Sequence, residues 1–96
     1  MLAGCAHPPP RPPIELLASG DSQGCRFEAE GQVVAKGSPA EAEAMLAKAA
    51  RRWKGRSATI LGGTEVPYKC FGMAIYVLQR EIGKVGFVAE PPPGPN

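Results

Sequence analysis

The chain is poor in the side chains on which most protein chemistry depends. It has one histidine, His7, among 96 residues, and that histidine sits in a proline run. A Ser-His-Asp arrangement therefore has no base inside the folded region. The three cysteines, Cys5, Cys25 and Cys70, include no C-x-x-C pair. A structural zinc site takes about four ligands, and a dithiol redox motif needs two closely spaced cysteines. Neither pattern is present. No phosphate-binding glycine loop and no pair of acid–base carboxylates stands out. The formal net charge of +2 is too small to imply a nucleic-acid partner by itself. No run of about 18 apolar residues occurs, so no transmembrane helix is read in the chain. These absences point away from an enzyme, a metal and a cofactor.

Proline is what the chain has in excess. It contains 11 prolines, gathered in His7–Pro13 (HPPPRPP) and Glu90–Asn96 (EPPPGPN). The first run is read as a semi-rigid polyproline spacer. Between the runs lies one small domain, residues 14–90, flanked by residues 1–13 and a tail, 91–96. A domain of this size buries only about 60% of its unfolded surface, so a disulfide or a partner would help to stabilise it.

Ile14–Ser19 reads as a strand and Gly20–Gly24 (GDSQG) as a turn. Cys25, Phe27 and Ala29 then alternate with Arg26, Glu28 and Glu30, which is the period of a strand with one buried side. Gln32–Gly37 is a further strand or an extended lead into a helix. Ser38 to Trp53 carries the clearest helix signal. Ser38 and Glu41 form a capping box, Pro39 suits the first helical position, and Gly55 ends the helix. Ala42, Met45, Leu46, Ala49 and Trp53 recur at helical spacing as the expected buried stripe. Ala58–Leu61 is a strand and Gly62-Gly63 a turn. A second helix starts near Pro67, with Phe71, Ala74, Ile75, Leu78 and Ile82 as its apolar face and Cys70 and Val77 flanking it. Gly83 is placed as the left-handed C-terminal cap. Lys84–Glu90 is the last strand. The order β-β-(β)-α-β-α-β predicts an α+β fold. It is a two-layer sandwich with a small mixed sheet and two helices on one face, leaving the other face or an edge open to a partner.

The second half resembles the C-terminal part of the periplasmic domains of the ExbD and TolR family of biopolymer-transport proteins. Val66 and Tyr68 hold the family's helix-start positions. Gly83, Lys84, Val85, Gly86, Phe87, Val88, Glu90 and Pro91 match its terminal strand. The chain departs from the family in having no N-terminal membrane helix with an acidic residue. It also has Gly62-Gly63 where the family often has Ala-Asp. Proton-coupled work is therefore not carried over. The resemblance implies a non-catalytic envelope domain, commonly a homodimer. It would bind a periplasmic protein of a TonB/Tol-type system, or peptidoglycan, with Tyr68, Lys84, Val85 and Phe87 as partner-binding candidates.

Met1–Cys5 (MLAGC) carries the Leu-Ala-Gly-Cys pattern read by bacterial lipoprotein signal peptidase. Four residues cannot hold the basic and apolar parts of such a signal. The expectation is a truncated or mis-started signal, with a lipid on Cys5 anchoring the protein in the periplasm. The proline spacer would then stand the domain roughly 25 Å from the anchor. Cys25 falls on the inner strand face and Cys70 beside the helix face that covers it. A disulfide between them and two buried thiols are both open at this point. Two further readings compete. One is a thiol redox protein, which would need an accessible, low-pKa cysteine. The other is a nucleic-acid module using Ala50–Arg56 (ARRWKGR), set against a solvated helix end with Trp53 buried.

Overall fold

The computed structural model describes residues 12–63 and 65–89. Five strands and two helices follow in the order β1 (Ile14–Gly20), β2 (Cys25–Ala29), β3 (Gln32–Gly37), α1 (Pro39–Arg51), β4 (Ala58–Gly62), α2 (Tyr68–Glu81) and β5 (Val85–Ala89). The strands form one mixed sheet in the order β3-β2-β1-β4-β5. β1 pairs antiparallel with β2 and parallel with β4, and β4 pairs parallel with β5. The fold is the α+β two-layer arrangement expected, and the uncertain third strand is a true strand.

Local chemistry sets the connections. At the β1–β2 turn, Asp21 Oδ1 accepts hydrogen bonds from the backbone N–H of Gln23 (2.8 Å) and Gly24 (3.1 Å). This is how an aspartate holds a tight turn. The β2–β3 link is two residues, Glu30 and Gly31, both with positive φ, 54° and 81°. That combination matches the twist of a hairpin. A register shift between Phe27 and Glu28 lets Ala35 face Phe27 and Val33 face Glu28.

Both helices lie on one face. Ile14, Leu16, Phe27, Ala35 and Ile60 point toward them and are fully buried. Leu17 and Val33 on the other face are 50% and 40% exposed, so among the described residues no layer covers that side of the sheet. α1 begins as the sequence indicates. Ser38 Oγ accepts from the Glu41 N–H (3.3 Å), and Glu41 Oε1 accepts from the Ser38 N–H (3.0 Å). α2 is closed by Gly83, two residues past its last turn, whose φ is 93° and whose N–H reaches the Leu78 carbonyl at 3.1 Å.

Three expectations need correction. Met45 is 44% exposed, outside the buried stripe. α1 rotates its small residues Ala47 and Ala50 inward, because α2 packs beside it as well as the sheet below. On α2 the buried residues are Cys70, Ala74, Val77 and Leu78, whereas Phe71, Ile75 and Ile82 are only partly buried. The cause is covalent: Cys70 is bonded to Cys25 of β2, which turns that side of the helix to the sheet. Gly62 belongs to β4, paired with Ala89, rather than to the turn. A Cβ there would stand 2.7 Å from Phe71 Cζ, so the ring occupies the room a side chain would take.

Candidate functional site

The described surface offers edges and faces rather than an enclosed pocket. The depression at the β1–β2 turn, about 560 Å³, is lined by Asp21, whose carboxylate is already engaged in the turn. A second, about 390 Å³, lies beside Trp53. Its charged members Arg56 and Glu30 are paired at 3.0 Å, and Arg56 also donates to the Pro12 carbonyl at 3.0 Å. Among the described residues no group of three or more His, Cys, Asp or Glu is placed to hold a metal ion.

Cys25 and Cys70 form a disulfide with Cα atoms 5.7 Å apart. Both residues are buried, at 3% and 0% exposure, so neither presents an accessible thiol. Trp53 is 6% exposed. It lies buried in the turn just after α1, and its ring is not available to stack on a base. The lipid-attachment candidate Cys5 and the proline runs at 7–11 and 90–96 lie outside the described residues.

The partner-binding candidates fall on two neighbouring elements, Tyr68 at the start of α2 and Lys84, Val85 and Phe87 on or just before β5, with the length of α2 between Tyr68 and Lys84. β5 is an edge strand, and no strand pairs with its outer side among the described residues. The Ala58 N–H donates to the Lys84 carbonyl at 3.0 Å. In a parallel ladder, alternate residues direct their backbone groups to the same neighbour. Lys84, Gly86 and Val88 thus turn toward β4, and Val85, Phe87 and Ala89 turn their N–H and C=O outward. Lys84 is exposed, and Val85 is partly buried against the core. Phe87 is opposite Ile60 in register, and its side chain lies outside the described residues. Tyr68 is 91% exposed at the first turn of α2.

Sequence reasoning missed the rest of that helix's outer face. Tyr76 is 57% exposed, and the Arg80 guanidinium lies 5.2 Å from its ring centroid. Contact with Tyr76 and then the hydrogen bond with Glu81 hold Arg80 above its ordinary pKa. The i, i+4, i+8, i+12 spacing of Tyr68, Gly72, Tyr76 and Arg80 was the available signal. It was hidden because the apolar stripe beside it drew the helix's inner face in the wrong direction. No family model and no curated protein matches the chain. No helix of the described residues is long and apolar enough to cross a membrane.

Proposed function

We propose that the chain is a non-catalytic domain of the bacterial envelope. A lipid on Cys5 holds it in the periplasm, and it binds a protein of a TonB/Tol-type energy-transduction system along the outer edge of β5. The observation that carries this reading is the unpaired edge itself. Three outward-facing backbone positions, Val85, Phe87 and Ala89, are a template for adding a strand. The residues of the ExbD- and TolR-like ending, Gly83 to Val88, supply most of that strand. The buried disulfide supports an oxidising compartment.

The test is retention of envelope proteins on the immobilised chain, compared with an Ala89→Pro variant. Proline is tolerated on an edge but removes the outward donor. The expected result is a Ton/Tol-type partner held by the wild type and severalfold less by the variant, with unchanged thermal stability. Absence of both such a partner and peptidoglycan retention overturns the reading. A Cys5→Ser change should release the protein from the membrane fraction of cells producing the full reading frame.

A further inference from the structure

α2 keeps a second contact surface that neither its own folding nor the β5 edge requires. Its residues Tyr68, Gly72, Tyr76 and Arg80 follow one another every four positions, which on a helix is a single surface ridge. The ridge is broken at Gly72. Glycine inside a helix costs about 1 kcal/mol relative to alanine, so its presence asks for a cause. The usual internal causes do not apply. Gly72 is exposed, its φ is not positive, and a Cβ built on it would meet no atom within 4 Å. Nothing within the described fold needs that side chain to be missing.

What the missing side chain creates is a notch between two phenol rings. Eight residues separate Tyr68 from Tyr76, about 12 Å along a helix axis at 1.5 Å per residue. A second helix with its side chains measures about 10–12 Å across. A helix crossing α2 at Gly72 with small residues at the contact, narrower there than its full width, would pass between the rings and approach the backbone closely, as ridges enter grooves. Tyrosines exposed to this degree are also the residue type that anchors interfaces at small entropic cost.

The charge of the surface selects the visitor. Lys69, three positions before Gly72, and Arg80, at the end of the ridge, are both exposed cations, and Arg80 lines a depression with residues of α1. Glu81 bonds Arg80 at 3.2 Å and Arg51 at 3.8 Å and is mostly covered, and Glu43 of α1 is balanced in the same depression by Lys48 and Arg51. No carboxylate lies on the outer ridge itself. We infer that the outer face of α2, centred on Gly72 between Tyr68 and Tyr76, is the docking site for an acidic α-helix of a partner protein. Such a helix would place small residues on the notch and Glu or Asp against Lys69 and Arg80.

The test is selection from a phage-displayed library of randomised 20-residue helices against the full chain, with a Gly72→Leu variant as counter-target. Leucine fills the notch and is a better helix former, so this variant should melt higher than the wild type. The expected binders carry Glu or Asp on one flank and Ala, Gly or Ser at the central contact. They should bind Gly72→Leu at least tenfold more weakly and lose affinity as salt is raised. Their backbone-amide shift changes should lie within residues 68–80, and Ala89→Pro should leave their affinity unchanged. That last result separates this site from the β5 edge. The inference is overturned if binders tolerate Gly72→Leu, if they are basic or extended, or if their shifts map to the open sheet face. It is equally overturned if a disaccharide–peptide fragment of peptidoglycan, and not a helix, perturbs residues 68–80. Concentration-dependent self-association through the same residues has the same force.

Discussion

Gly62 and Phe71 exchange volume across the layer boundary: the strand gives up a side chain, and the helix fills the space with a ring. Restoring the side chain should therefore cost stability although glycine is a poor strand former. Gly62→Ala places a Cβ 2.7 Å from Phe71 Cζ and 3.1 Å from Val66 Cγ2. The expected loss is about 1–3 kcal/mol, as for other overpacked sites. Urea unfolding should show it, and adding Phe71→Leu should recover part of it. This contact was not legible in the sequence. Gly62-Gly63 has the composition of a turn, and only the register with Ala89 assigns Gly62 to a strand. The burial of Trp53 was legible from its place in the apolar stripe, although the residue lies in the turn just beyond α1.

The two helices differ in how far local sequence determines them. α1 is specified locally, by Ser38, Pro39 and Glu41 at its start, and its limits follow the reading closely. Hydrogen bonds from the backbone and side chain of Ser38 lower the Glu41 pKa. A carboxylate whose folded value is lowered contributes stability above the ordinary carboxylate range. That contribution is lost as pH falls through the range to the lowered value. Wild type should thus exceed Glu41→Gln in urea midpoint near neutral pH. The difference should shrink progressively on acidification, because a protonated Glu41 resembles glutamine. α2 is positioned instead by a bond to a residue 45 positions away. Its apolar residues run about a quarter-turn beyond the arc that packs, at 3.6 residues per turn, so the stripe alone misplaces the inner face. Replacing Cys25 and Cys70 together by alanine should lower stability by about 4 kcal/mol in the chain-entropy account. The loss should appear equally on reduction of the wild type with dithiothreitol. An unchanged urea midpoint in reductant would show that the bond adds nothing to the packed helix.

For the molecule as a whole, adjacent residues of β1 report on the two faces of the sheet. Leu16 is fully buried beneath the helices, and Leu17 is 50% exposed. Leu16→Ala should cost about 2–5 kcal/mol, whereas Leu17→Ser should stay within about 0.5 kcal/mol, as for surface sites. Equal losses in thermal unfolding would mean that something covers the open face. The layer arrangement was legible, since alternation in β1 and β2 and the two helical periods leave few other solutions. The order of strands was not legible, and with it the edge position of β5. Residues at 58–62 insert between β1 and β5 through contacts that no local pattern announces.

That order has a mechanical consequence. β1, β4 and β5 run parallel, so Pro12 leads into the base of the central strand and Ala89 leaves from the far end of the outermost one. A pull applied between those two points runs along the strands rather than across them. The ladder bonds of β1 with β4 and of β4 with β5 then bear load together, in shear, instead of opening one after another. A chain held at one end and drawn by a partner at the other would meet its force along its most resistant direction.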